Sequence, residues 1–256
     1  MTASVTRASI AVQGLTLHRG RRRVLSDVSF EVGTGVTCVL GPNGSGKSTL
    51  FSVLATLLPP PRRGQVRIGD ADLWAERSVS EARSRVSLLP QRFSLMSWAS
   101  VRENLDYAAW AKGVPHGDRT DRVEEVADLV GLTSRLGDRA KSLSGGMRQR
   151  LGFACSVVHA PPILLLDEPT VGIDPEHRIA LRRTIRRYGE STVVLVATHV
   201  LEDAQFTADR LLVLLDGRVS FDGSVHELGT AAPDQSPDAS ALEAGYLQLL
   251  DRTTVA

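Results

Sequence analysis

Lysine is nearly absent from this 256-residue chain. Of its 30 cationic side chains only Lys47, Lys112 and Lys141 are lysines, and the rest are arginines. Aromatic residues are scarce too, at 5%, and there are two cysteines, Cys38 and Cys155. These lie far apart and form no Cys-x-x-Cys pair, so neither a disulfide framework nor a zinc site is indicated. Both sit in apolar surroundings and read as core thiols. No apolar run is long enough to cross a bilayer. The first residues, MTASVTRAS, lack the apolar segment of a secretory leader. The expected location is therefore the cytoplasm, with any membrane contact made through a partner. Net charge is almost missing as well: 30 Lys plus Arg stand against 29 Asp plus Glu. The chain lacks the broad positive field of a nucleic-acid binder, and no nucleic-acid partner is expected.

What is present is enough apolar material, 42%, to build a sizeable core. The length suits one large domain, or one domain carrying a smaller subdomain. Four apolar runs of strand length (Val36 to Leu40, Val86 to Leu89, Ile163 to Leu166, Thr192 to Ala197) fit strands buried on both faces of a parallel sheet. Val28–Phe30–Val32 alternates, and Gly69–Asp70 and Asp216–Gly217 mark turns, so an antiparallel layer is expected beside the parallel one. Leu211 to Gly223 reads as a hairpin. From about Phe93 to Val158 the period becomes helical. Ser100 and Glu103 have the spacing of a capping box, opening a helix through Leu105, Tyr107 and Trp110. Arg119 to Val130 reads as a second amphipathic helix. This middle part is expected to be a helical subdomain inserted into an α/β core. Tyr107 and Trp110 are assigned to its packing, and Phe93, Leu95, Met96 and Trp98 to an exposed apolar patch. Residues 1–228 form the expected main domain, 229–240 a linker rich in small and polar residues, and 241–256 a terminal helix and tail. That helix could dock on its own domain or on a partner, and composition leaves both open. Arg182, Arg183, Arg186 and Arg187 read as a solvated helix face.

The first of the three lysines marks the clearest motif. Gly41, Pro42, Asn43, Gly44, Ser45, Gly46, Lys47, Ser48 and Thr49 fit G-x-x-x-x-G-K-[ST], directly after a predicted strand and before a predicted helix. Glycines let successive N–H groups point into one concave nest, and the helix start adds partial positive charge. Lys47 supplies a compact ammonium for the β- and γ-phosphates of a nucleotide, where a guanidinium would be broad and planar. Ser48 can hold Mg²⁺. The chemistry of the spot thus accounts for a lysine in an arginine-rich chain.

A second site lies in ILLLDEPT, Ile163 to Thr170, an apolar strand ending in two acids. Adjacent carboxylates at a buried strand end need something to offset their charge. Mg²⁺ oriented by Asp167 would do so, with Glu168 facing the attacking water as general base. A third is LSGGMRQRL, where Ser144, Gly145 and Gly146 open a helix. That pattern fits either an anion-binding helix start or a plain N-cap.

Taken in order, GPNGSGKST, Gln91, LSGGM, ILLLDEP, Gly172-Ile173-Asp174 and His199 resemble the ATP-binding cassette of ABC transporters over nearly the whole chain, about Ile10 to Gly223. The resemblance implies a P-loop NTPase fold with a mostly parallel sheet, an antiparallel β subdomain and a helical subdomain. It implies an ATPase using ATP and Mg²⁺, peripheral on the inner face of the membrane, with an integral membrane permease as partner. Gln91 would touch Mg²⁺ or the attacking water, and His199 the γ-phosphate. Asp174 would lie across a dimer interface, because two copies pair head to tail and Ser144–Gly146 of one close over ATP held by the Lys47 loop of the other. The segment after Gln91 would receive a helix of the permease, and its wording resembles exporter-type cassettes, including those for drugs or peptides. Arg19 stands where the family usually has an aromatic residue against adenine; it either stacks through its guanidinium plane or is a solvated charge. Met147 stands where many members have Gln, with little effect expected. A soluble ABC-type ATPase serving a non-transport partner is the alternative expectation.

Overall fold

The computed structural model describes residues 9–59, 63–73, 76–230 and 241–254. Residues 1–8 and nearly all of the expected linker lie outside them. Two sheets organise the chain. The smaller is antiparallel, in the order β2-β1-β4-β5, from β1 (Ile10–Arg19), β2 (Arg22–Val32), β4 (Arg63–Ile68) and the short β5 (Ala71–Asp72). The larger has the order β10-β9-β3-β8-β7-β6. Its strands are β3 (Gly35–Leu40), β6 (Val86–Leu89), β7 (Ile163–Asp167), β8 (Val193–Thr198), β9 (Arg210–Leu215) and β10 (Arg218–Gly223). All pair parallel except the β9–β10 hairpin. Asp216 and Gly217 both take positive φ, 45° and 76°, as a two-residue hairpin turn requires. The expected strands are therefore found, and the hairpin sits at the edge of the large sheet rather than in the small one.

Burial explains the layering. Successive residues of a strand face opposite sides of its sheet. Cys38, Leu164, Val194 and Val196 enter one core with the helical side, whereas Val39, Leu165, Leu195 and Ala197 enter another. That second core is closed by the small sheet and α1 (Lys47–Leu54), which contributes Leu50, Phe51, Val53 and Leu54. Burial pushes the Cys38 thiol well above its ordinary value, and that of Cys155 to about 12, as inert core thiols should behave.

The helices are α2 (Glu76–Arg85), α3 (Val101–Ala111), α4 (Arg119–Leu129), α5 (Gly145–Val157), α6 (Pro175–Gly189), α7 (Leu201–Thr207), α8 (Val225–Thr230) and α9 (Ala241–Thr254). The capping box of α3 forms: Ser100 Oγ accepts from Glu103 N at 3.2 Å, and the Glu103 carboxylate accepts from Ser100 N at 2.7 Å. Caps of this kind contribute about 1 kcal/mol.

The aromatic assignments are corrected. Tyr107 and Trp110 are exposed, and their rings lie 5.6 Å apart, centroid to centroid. Helix α3 buries Val101, Leu105 and Ala109, a stripe spaced by four, and Tyr107 falls on the opposite side of the turn. Phe93 instead packs inward, its ring occupying the space a side chain at Gly152 would need. Leu95 and Met96 are half-buried, while Trp98 is 70% exposed.

The C-terminal helix docks on its own chain. Tyr246, Leu249 and Leu250 lie against the helical-side core. Gly245 crosses so near α8 that a Cβ there would stand 2.0 Å from the Leu228 carbonyl oxygen. The expected boundary at 229 falls inside α8, whose last turn buries Gly229 against Ala241.

Candidate functional site

In a parallel sheet neighbouring strands end at the same edge, and that edge is where ligands of such folds gather. Leu40 of β3 pairs with Thr198 of β8, and Ala197 of β8 with Asp167 of β7. Three chain exits therefore stand side by side: the loop from Gly41 to Gly46, Glu168, and His199.

The loop needs its glycines at two places. A Cβ on Gly41 would meet the Leu214 carbonyl oxygen at 2.2 Å, so only glycine lets the loop pass β9 this closely. Gly46 has φ 108°, a left-handed conformation, and ends the loop as the first residue before α1. The N–H groups of the first turn of α1 have no helical partners and face outward. Ser45 N donates to the Pro42 carbonyl at 3.2 Å, which closes the turn.

Lys47 lies under this loop, 5% exposed. Its Nζ donates to the Gly41 carbonyl at 2.7 Å and the Pro42 carbonyl at 3.1 Å, and stands 3.9 Å from Glu168 Oε1. Burial pushes the ammonium below the ordinary lysine value, while the Glu168 and Asp167 carboxylates pull it back up. Asp167 ends β7 buried. Burial pushes its carboxyl above the usual range, opposed first by the neighbouring Ser48 hydroxyl. Its Oδ1 is buried without a hydrogen-bond partner. A buried, unpaired carboxylate oxygen beside a hydroxyl suits a small hard cation that takes one or two protein oxygens and fills its shell with phosphate and water. Asp167 and Ser48 thus fit Mg²⁺.

Glu168 is 5% exposed and has φ 53°, a conformation non-glycine residues rarely adopt. Its N–H donates to the Ala197 carbonyl at 2.9 Å. His199 Nδ1 lies 2.9 Å from each carboxylate oxygen. Backbone strain of this kind persists only where surrounding contacts over-determine it, and it is common at functional positions.

Of these groups Lys47, Ser48 and Glu168 border a cavity of about 530 Å³, a volume typical of small-molecule sites, while Asp167 and His199 are not among its lining residues. Arg19, Asn43, Gly44, Gly46, Lys47, Ser48, Thr49, Gln91 and Glu168 line it. Gly41, Pro42 and Ser45 lie behind it as the backbone of the turn. Arg22, Arg23, Val24, Asp216 and Gly217 also line it and were missed as site residues. The Asp216–Gly217 turn was legible, but nothing local says that it faces the loop. Gly217 N donates to the Ser45 carbonyl at 3.0 Å, which brings it there.

Ser144, Gly145, Gly146 and Asp174 lie elsewhere in the chain. Ser144 Oγ caps α5, accepting from Met147 N at 3.2 Å. Asp174 caps α6, accepting from His177 N at 3.0 Å, and the His177 ring fills the space beside Gly146. Gly145 lines a second cavity of about 400 Å³ with Val171, Gly172 and Ile173, and Gln91 borders both cavities.

A family model described as ABC transporter matches residues 25–171. Linearmycin resistance ATP-binding protein LnrL of Bacillus subtilis (strain 168) is 32% identical over 82% of this chain and 67% of its own length. Daunorubicin resistance ATP-binding protein DrrA3 of Streptomyces coeruleorubidus is 34% identical over 93% of this chain and 75% of its own. A solved ATP binding subunit of an ABC transporter superposes with a TM-score of 0.80 at 27% identity, covering 94% of this chain and 99% of that one.

Proposed function

This chain belongs to the ABC transporter family as an ATP-binding and ATP-hydrolysing subunit that works with a membrane partner, and we propose that it drives export of an organic compound through a separate permease. One observation carries the chemical part of the reading. A buried carboxylate, Glu168, lines the same cavity as the Lys47 loop, and His199 Nδ1 lies 2.9 Å from both of its oxygens.

In the mechanism proposed, the N–H groups from Gly44 to Thr49 and the ammonium of Lys47 grip the β- and γ-phosphates of ATP. Lys47 exchanges its contacts with Gly41 and Pro42 for phosphate oxygens. Asp167 and Ser48 hold Mg²⁺, which when bound supplies charge neutralisation at the phosphates. Gln91 would touch Mg²⁺ or the attacking water. Glu168 takes a proton from the attacking water, and His199 orients that carboxylate and contacts the γ-phosphate. A second copy of the chain completes the site: its Ser144–Gly146 helix start covers the phosphates, and Asp174 lies across the seam. The separation of Ser144 from the Lys47 cavity within one chain supports assembly from two copies. Residues 1–228 act as the cassette.

The permease would dock in the apolar groove of about 260 Å³ formed by Phe93, Leu95, Met96 and Tyr107. Export rather than import is favoured by the resistance named in two relatives. The test is purification of the tagged chain from detergent-solubilised membranes of its own host. A protein with about six bilayer-length apolar spans should accompany it, and the pair in proteoliposomes should move compound toward the side opposite ATP. Recovery of the chain without a membrane protein, or movement toward the ATP side, would contradict the proposal.

Arg19 is proposed to stack on the adenine base. It is exposed at the mouth of a cavity whose lining includes no aromatic ring. Loss of a partly exposed guanidinium–ring contact is worth about 0.5–2 kcal/mol. Arg19→Ala should therefore weaken ATP binding roughly two- to thirtyfold by fluorescence titration, and unchanged affinity would leave Arg19 as a solvated charge.

A further inference from the structure

We propose that Asp203 is a positioning residue for hydrolysis, one carboxylate that fixes the two turns on which Glu168 and His199 stand. The proposal rests on the reading of Glu168 as general base given above.

Asp203 lies in the first turn of α7 and is 2% exposed. A carboxylate this deep is tolerated only when its oxygens are filled by donors. Three elements supply them. Thr170 Oγ1, just past β7, donates to Oδ2. Thr198 Oγ1, the last residue of β8, donates to the same oxygen at 3.2 Å. Arg182 Nε on α6 donates to Oδ1 at 2.6 Å. Both threonines are fully buried, so water offers no substitute partner.

The two hydroxyls flank the two site residues. Thr198 immediately precedes His199, and its Oγ1 also accepts from Val200 N at 3.0 Å. One hydroxyl thereby ties the backbone on both sides of His199. Thr170 lies two residues after Glu168, inside the turn closed by Val171 N donating to the Glu168 carbonyl at 3.3 Å. This is the turn that holds the left-handed φ of Glu168. The contact between the Glu168 carboxylate and His199 thus joins two segments that Asp203 has already clamped from below. Arg182, read from the sequence as part of a solvated face, is instead largely buried against Asp203 and extends the clamp. Its guanidinium neutralises Asp203 and lies 5.5 Å from the centre of the Phe206 ring, joining α6 to α7. Helix α6 starts at its cap Asp174, so the segment assigned to the seam between copies is anchored to the same carboxylate.

A group that only positions should affect turnover more than binding, because the phosphate grip belongs to the Lys47 loop. The experiment is steady-state MgATP hydrolysis by the full chain carrying Thr198→Val, which keeps the shape of the side chain and removes its hydroxyl. Small displacements of reacting groups lower rates steeply, so kcat should fall on the order of tenfold, with KM and ATP affinity within about twofold. Thr198→Ser, which keeps the hydroxyl, should restore kcat to within about twofold of the parent. Thr170→Val and Thr170→Ser should repeat the pattern. Equal losses in the Ser and Val variants, or a loss confined to KM, would overturn the role of Asp203. Glu168→Gln in the same assay separates the two readings. If its turnover is lost while Thr198→Val keeps the parental kcat, the positioning role alone fails. If Glu168→Gln itself turns over like the parent, the general-base reading fails and takes the positioning role with it.

Discussion

Glu168→Gln should bind MgATP, lose hydrolysis and accumulate as a closed dimer. The substitution keeps the size and most hydrogen-bonding geometry of the side chain, so the strained turn at φ 53° should survive. What it removes is basicity. An amide cannot take a proton from water, and positioned general bases typically contribute about 10²–10⁴ in rate. Turnover should fall by about that factor. The nucleotide grip should be spared, because Lys47 keeps its contacts to Gly41 and Pro42 until phosphates replace them, and Glu168 is only its 3.9 Å neighbour. The carboxylate also pulls the Lys47 ammonium toward its charged form, and the amide would not. Bound phosphate would take over that role. Size-exclusion chromatography with and without MgATP reads the outcome: the variant should elute as a dimer with ATP, whereas the parent should return to monomer as it hydrolyses. Turnover at the parental rate would remove Glu168 from the chemistry.

Lys47→Ala should be the most damaging change for nucleotide binding. The ammonium is a full positive charge beneath the loop, and it stands 5% exposed in a slot bounded by two carbonyls and a carboxylate. Charge-assisted hydrogen bonds are worth about 1.5–3 kcal/mol each, and two phosphate groups would lose theirs. ATP affinity should therefore fall on the order of 10²–10⁴-fold, with hydrolysis below detection. Glu168 would then face the phosphates with no ammonium between them, which adds repulsion. Lys47→Arg is the informative companion. A planar guanidinium does not fit a slot shaped for a point charge, so restoring the charge should not restore the activity. Equilibrium binding of a fluorescent ATP analogue checks both. Parental affinity in Lys47→Ala would end the account of the loop as a phosphate cradle.

The parts of the site legible in the sequence are those whose geometry is local. A run of glycines between an apolar strand and a helix makes a nest from adjacent backbone groups, so Gly41 to Thr49 could be placed before any contact was known. The capping box at Ser100 and Glu103 is local in the same sense, and so is the turn at Asp216–Gly217. Apolar runs such as ILLL and VVLVA read as parallel strands because burial on both faces leaves no alternation. What failed was phase. Tyr107 and Trp110 belong to a helix that was correctly expected, but which side of it meets the core is set by α4 and α5, not by α3. Phe93 went the other way, inward, because Gly152, far along the chain, leaves room for its ring.

Chain chemistry alone therefore picked out the Gly41–Thr49 loop and the acids Asp167 and Glu168 as the proposed nucleotide site, since each of those features resides in a few consecutive residues. Only the tertiary structure decided that His199 braces Glu168, that Asp203 binds Thr170 and Thr198 together, that arginines and the β9–β10 turn complete the rim, and that the last helix lies on its own chain. The physical reason is the crossover. A parallel sheet sets strands side by side that are distant in sequence, and their ends meet at one edge through hydrogen-bond register that no single segment contains.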